Sequence, residues 1–489
     1  MNGHSFRPGV GVAASSILCV AAIVGCTADD GGGIVDPFAA QPDVSEGLVL
    51  VSDDLSELLE HGALEGACER WSAAPDDRRA MLQCGKWMFF YESFEAPGVP
   101  RALVETVLRE LPEEVGPSFE RYGMFGNPTR DDGLPLGLAP AAPIRDAPTV
   151  TFTCASCHLG RMPDGRFAIG APNHEYQYGK HILALVLTPL VAITQRPDQH
   201  DPDAIAAIQP LLDRIESDPT IRDRLLSDLA PLVGSGAMVT LSPEMERHYA
   251  TWRGSNQDFL MAPVPLDDGI HTISKVPTIW GIPNEDEIRR AGMPDAMLAW
   301  TGGATSVGRF LDGFVVLFQG VHERWDHERL RPLEELVMAL RPPAPTVAQD
   351  AERVETGRRL FADAGCTGCH DGPRGGGRRL FDYEEIGTDD VMRRWMDPDG
   401  DGQPCCGIDS EGLDPLTGRL KSPRLAGLHA SRLFLHNGSV ESLEDLFCLD
   451  GHERPTITEP AYGDGGHRFT CDGLSDDDKH ALIAFLRSI

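Results

Sequence analysis

The chain has 489 residues, 41% hydrophobic and 24% charged, a balance ordinary for a folded soluble protein with room for two or three domains. Its formal net charge of −32 argues against a nucleic-acid partner, since nothing so acidic neutralises phosphates. A redox or other partner protein with a basic face would be steered toward it, although acidity alone also keeps an exported chain in solution.

Residues 1–25 read as a lipoprotein signal peptide, with Arg7 in a short leading region, an Ala- and Val-rich apolar stretch, and Ile23-Val24-Gly25 before Cys26. The small residue before Cys26 resembles a bacterial lipobox, so a lipidated Cys26 would attach the chain to a membrane. An ordinary cleavage nearby and a membrane span are the competing readings. The expected location is outside the cytoplasm, as a periplasmic or outer-membrane/cell-surface lipoprotein of a bacterium. Residues 26–45 are rich in Gly, Asp and Pro without periodicity and read as a flexible tether. A helical N-terminal extension is expected over 46–140, from helix-period apolar residues in 56–60 and 101–111, and Trp87-Met88-Phe89-Phe90-Tyr91 reads as core or as the cover of a bound cofactor.

A strand-like Val150-Thr151-Phe152-Thr153 then leads into Cys154-Ala155-Ser156-Cys157-His158, and the same Cys-x-x-Cys-His pattern returns as Cys366-Thr367-Gly368-Cys369-His370. From this chain's 12 Cys and 16 His the pattern should arise by chance only about 0.01 times. Two thiols at this spacing can each add to a porphyrin vinyl group, and the adjacent histidine then reaches the iron from beneath the ring. Two covalently bound haem c groups are therefore expected, held by Cys154, Cys157, Cys366 and Cys369, with His158 and His370 on the metals. A redox dithiol does not need the histidine, and a zinc site would need further ligands in each copy.

The first haem module is expected over 141–345, ending in the amphipathic segment 324–341 and the linker Pro342-Pro343-Ala344-Pro345. The second spans 346–489. Its first helix, 352–361, runs into the motif, and its closing helix, 475–488, has Ser475 as N-cap and three aspartates in its first turn. Leu360 and Phe361 are expected to pack on Leu482, Phe485 and Leu486. The fold class is thus mainly α: two cytochrome c-like haem modules with a helical N-terminal extension and long loops. Asp397, Asp399 and Asp401 alternate as in the start of a calcium loop with Gly402 sixth, but position twelve is Ile408; bound Ca2+ and a plain acidic turn both stand. Six cysteines remain for disulfides, Cys68, Cys84, Cys405, Cys406, Cys448 and Cys471, with Cys68–Cys84 the local pairing.

Two further segments carry a family resemblance. Leu435-His436-Asn437-Gly438-Ser439-Val440-Glu441-Ser442-Leu443-Glu444-Asp445-Leu446-Phe447 follows the second motif, and Trp300-Thr301-Gly302-Gly303-Ala304-Thr305-Ser306-Val307 lies between the motifs. With the paired haem motifs they make residues 145–489 resemble the bacterial di-haem cytochrome c peroxidase superfamily, nearest its rubber-oxygenase-like branch. The resemblance implies that His467, in Gly465-Gly466-His467-Arg468-Phe469, caps the second iron, with His436 and His429 as competitors. It also implies that Trp300 relays electrons between the haems. For the first iron, His174 and His181 are the nearest candidates, and with neither bound that iron is open. Peroxidases of the group place a glutamate where this chain has Gly308-Arg309, so their usual general base is missing; Asp312 could substitute and Arg309 could stabilise a departing oxygen. The implied activity is that of a redox enzyme whose N-terminal haem activates a small oxidant, peroxide or dioxygen, while the C-terminal haem transfers electrons. A pure electron-transfer lipoprotein is the alternative, and a non-catalytic surface protein a weaker third.

Overall fold

The structure is a computed structural model and describes residues 36–39, 41–96, 98–233, 241–251, 256–257, 274–317, 324–390, 393, 418–452, 454 and 465–489. The signal and lipid-attachment residues, the acidic loop with Asp397, Asp399 and Asp401, and Cys405 and Cys406 lie outside them. The chain is mainly helical, about 49%, with small antiparallel sheets. Among the described residues no helix is long and apolar enough to cross a membrane.

Helix Arg78–Tyr91 starts where Asp77 accepts the Ala80 N–H, and it buries Met81, Leu82, Met88, Phe89 and Phe90. The Cys68–Cys84 disulfide ties it to helix Ala67–Ala73, as the short sequence separation suggested. Its other side meets helix His327–Ala339 so closely that a Cβ on Gly85 would lie 2.0 Å from the Pro332 carbonyl oxygen. The N-terminal helices therefore pack on the helix that closes the first-motif region, and share one core with it. Lys86 is fully buried in this contact, and Glu60 at 3.0 Å and the Val49 carbonyl at 2.6 Å compensate its charge.

The strand expected before the first motif is Ala147–Phe152, central in an antiparallel sheet with Val99–Pro100 and Leu138–Ile144. The pairings Val150↔Val99 and Phe152↔Leu138 set its register, and the strand Leu138–Ile144 runs across residue 140. A second small sheet, Val51–Ser52 with Phe167–Ile169 and Leu159–Arg161, begins immediately after the motif. The motif turn is thus held between two sheets. Cys157 packs on a core built from Leu103, Phe119, Tyr176 and Ile182, while Cys154 packs on one built from Phe89, Phe90, Leu159 and Trp280.

In the C-terminal region, helices Ala351–Asp363 and Asp476–Leu486 cross with Phe361, Leu482, Phe485 and Leu486 in one cluster, with Leu360 at its edge. Ser475 accepts the Asp478 N–H, so the N-cap and its acidic first turn form as expected. Phe38, from the segment expected as tether, stands edge-on to Phe361 at 5.5 Å and Phe485 at 5.1 Å. A Cβ on Gly357 would lie 2.0 Å from the Ala481 carbonyl oxygen, so the helices cross at this residue. Gly357→Ala should therefore cost about 1–3 kcal/mol by overpacking. Gly368→Ala, where the added methyl meets nothing within 4 Å, should stay within about 0.5 kcal/mol. Urea unfolding of the two variants checks the contrast.

Candidate functional site

The first motif forms a short helix, Cys154–His158, that follows strand Ala147–Phe152. Thr153 donates its hydroxyl to the Phe90 carbonyl at 3.1 Å, fixing the turn to the N-terminal helix. The motif's own carbonyls are taken up in order. Asn173 donates its N–H to Cys157 at 2.8 Å and its Nδ2 to Ser156 at 3.2 Å, and Gly170 N–H reaches the His158 carbonyl at 2.8 Å. At Gly137, φ is +96° and a Cβ would stand 2.7 Å from the Ser156 backbone, so only glycine lets the strand pass this closely. Burial pushes the Cys154 thiol up to about 12 and the His158 ring down to about 4, against the Pro277 carbonyl, which favours the charged ring. His158 Nδ1 is buried and meets no partner at full hydrogen-bond geometry, although the Pro277 carbonyl lies near the ring.

The second motif is more exposed. Thr367 and Gly368 lie at the surface, whereas Ala155 and Ser156 of the first motif are buried. His370 is held from two sides: its N–H donates to the Cys366 carbonyl at 3.0 Å, and Nδ1 lies 2.6 Å from the Gly375 carbonyl oxygen. A carbonyl can only accept, so Nδ1 carries the proton and Nε2 keeps a lone pair for a metal. Burial lowers this ring too, opposed by the Gly375 and Pro423 carbonyls.

The His467 ring stands 6.2 Å from the His370 ring, the planes inclined by 36°. Two imidazoles bound to one metal ion from opposite sides, each nitrogen about 2.0–2.1 Å from the ion and about 1.1 Å from its ring centre, have centroids about 6.3 Å apart. The separation is compatible with both rings binding one metal ion. Burial, with His370 and Arg454 nearby, pushes His467 down to about 3, so it offers a neutral nitrogen. The competitors lie elsewhere. His436 faces the Trp300 ring at 6.5 Å, and His429 lies toward the backbone of Ile489 and Pro343.

Around the first motif, His181 is enclosed by Phe119 at 4.4 Å, Tyr122 at 5.6 Å and Tyr176, whose hydroxyl is 3.2 Å from Nδ1. His174 has both ring nitrogens buried and unpartnered, within electrostatic reach of Lys275 and Arg432. Unpaired buried nitrogens, each costing about 1–3 kcal/mol in a filled core, recur on His158, His174, His181, His429, His436 and His467. They fit a group that brings its own metal and polar atoms. Among the described residues no set of three or more Cys, His, Asp or Glu gathers to hold a metal ion alone. None of the four motif cysteines is in a disulfide, while Cys448–Cys471 forms a second disulfide in the last region.

Trp300 donates Nε1 to the Lys275 carbonyl at 3.0 Å and accepts the Lys421 N–H on its own carbonyl at 2.9 Å. It thus touches elements that follow both motifs. Arg309 and Asp312 sit on helix Val307–Leu317, Arg309 exposed and Asp312 half-buried. A Cβ on Gly308 would be 3.2 Å from Glu334 Oε2, so a carboxylate from another helix stands beside the position where the peroxidase glutamate is missing. Burial raises the Glu334 carboxyl, against His327 and the Gly308 N–H, which favour its ionised form. Sequence reading missed Glu334, Asn173 and Gly375. It also missed a repeat that could have been found, Lys275-Val276-Pro277 and Lys421-Ser422-Pro423, whose prolines face His158 and His370 respectively. No protein-family model matches the chain, and no curated protein matches it.

Proposed function

We propose that the chain is an exported, lipid-anchored di-haem c-type redox protein with two cytochrome c-like modules. Haem supplies a one-electron redox centre, and at an open iron a site for a small ligand. Cys154 and Cys157 hold one group with His158, and Cys366 and Cys369 hold the other with His370. The observation that carries this reading is the neighbouring pair His370 and His467, whose 6.2 Å ring separation suits a shared metal. The Gly375 carbonyl keeps the proton of His370 on Nδ1, leaving Nε2 to bind. With imidazoles from both His370 and His467 holding it, the second centre would be suited to electron transfer, and its surface-exposed motif suits exchange with a partner protein bearing a basic face. The first motif lies in the interior, which suits the reacting centre for peroxide or dioxygen, with Trp300 between the two. A second reading is a pure electron carrier; it draws support from His174, whose two unpartnered buried nitrogens make it a candidate cap for the first iron.

Purified protein matured in a c-type haem export host should retain two haems per chain after acid-acetone extraction. Cys154→Ala and Cys366→Ala should each lose stable attachment at one site. Complete loss of haem from the wild type on extraction would refute the covalent reading.

His467→Ala should convert one haem from low to high spin in electron paramagnetic resonance and raise its reduction potential, because a strong donor to the ferric ion is lost. An unchanged spectrum would move the sixth ligand elsewhere.

Carbon monoxide should bind the reduced protein at the haem of His158 alone, and peroxide turnover with ordinary donors should be weak. Gly308 offers no side chain for proton transfer, and the Glu334 carboxylate beside it is already engaged with His327 at 3.3 Å. Two irons inert to carbon monoxide would leave the electron-carrier reading. Gly308→Glu is a poor rescue, since it would press a second carboxylate against Glu334.

A further inference from the structure

The two Lys-x-Pro segments are joined crosswise. Lys275 donates its backbone N–H to the His436 carbonyl at 2.8 Å, and Lys421 donates to the Trp300 carbonyl at 2.9 Å. The acceptors are equivalent: Leu298 bridges Ala304 around Trp300, and Phe434 bridges Val440 around His436, each over a loop with a left-handed glycine, Gly302 at φ +64° and Gly438 at φ +73°. The regions around the two motifs thus meet in a reciprocal seam, and each contributes one lysine to it.

The ammonium groups are anomalous there. Neither Lys275 nor Lys421 has a carboxylate of the described residues within ion-pair distance, unlike Lys86 with Glu60 at 3.0 Å. Burial holds Lys275 down to about 8 and Lys421 well below the usual lysine range. The Lys275 Nζ lies 5.6 Å from the Trp300 ring centre and within electrostatic reach of His174 and His436, each with an unpartnered ring nitrogen. Arg432 acts on His174, and Asp389, the one acid in this group, acts on His436. The charged group near Lys421 is another cation, Arg424. Both lysines are half-buried, and an ammonium partly withdrawn from water with no acidic partner among the described residues, beside idle ring nitrogens in the case of Lys275, marks a place for an incoming anion. The prolines two residues on present their carbonyls to His158 and His370, so each lysine is placed by the segment that also abuts a motif histidine.

We propose that Lys275 and Lys421 each pair with a carboxylate of the porphyrin whose histidine the neighbouring proline faces, Lys275 for the His158 group and Lys421 for the His370 group. This rests on the di-haem reading and adds the residues that hold the acidic edge of each ring. A small free carboxylate has the same chemistry, and the experiment separates the two sources.

The test uses full-length haem-loaded protein as wild type, Lys275→Met, Lys421→Met and the two Lys→Arg variants. Haem content per chain is measured first, so absence of haem from the wild type would refute the di-haem reading and not this assignment. In loaded protein each Met variant should lower the potential of one haem and shift its propionate bending band in resonance Raman, because a cation stabilising the extra electron and the ionised carboxylate is gone. The Arg variants should stay near wild type. Unchanged potentials and bands in folded Met variants would overturn the proposal. So would a wild-type potential that depends on added formate at constant ionic strength, since a free anion would then fill the site. Should the Met variants not accumulate, the wild type decides: propionate bands unaltered down through the ordinary carboxylate titration range support pairing, and bands that titrate within it refute it.

Discussion

The constraint on which the rest of the structure depends is the seam where Lys275 N–H meets the His436 carbonyl and Lys421 N–H meets that of Trp300. These two backbone bonds put each Lys-x-Pro segment against the loop of the opposite region, and so decide which carbonyl faces each motif histidine. Trp280 wedges into the same boundary. Its Nε1 donates to the Ile169 carbonyl at 2.7 Å, its own carbonyl accepts from Arg424 at 3.0 Å, and its ring lies where a Cβ on Gly170 or Gly427 would come within 2.6 Å. Arg374 completes the clamp, donating Nε to the Gly281 carbonyl at 3.0 Å while its guanidinium pairs with Glu287. The next residue, Gly375, accepts from His370 Nδ1. The orientation of the second motif's imidazole is therefore a property of the interface, because the loop that holds it is itself held by residues of the first-motif region.

Charge is distributed against the net balance. The chain carries 75 acidic against 43 basic residues, yet cations lie along its packed boundaries, Lys86 and Arg374 buried and Lys275, Lys421 and Arg424 half-buried. Two of the five are neutralised within the protein, by Glu60 and Glu287. An acidic exterior costs little because water screens it, whereas interior cations without partners raise the energy of the fold unless an anion joins them. The two motifs also differ in depth. The first is gripped by Asn173, Gly137 and two sheets, and the second is a surface turn at the end of a helix.

What the sequence by itself determined is local. The Cys-x-x-Cys-His spacing is legible because its chemistry is confined to one turn. The crossing of Phe361 with Leu482, Phe485 and Leu486 is legible from helical periodicity, and the Ser475 cap and the Cys68–Cys84 pairing from short-range rules. The placement of His467 near His370 was expected only from a family resemblance, and no spacing rule in this chain would have chosen it over His436 or His429. Tertiary structure alone decided that these three histidines face different neighbours, that Glu334 stands beside Gly308, and that Trp300 and His436 occupy equivalent places in one seam. Those contacts join residues tens to hundreds of positions apart. Their selection depends on how two packed regions dock, where burial, the space left by a few glycines and the pairing of backbone groups act together, and no short stretch of the chain carries that information.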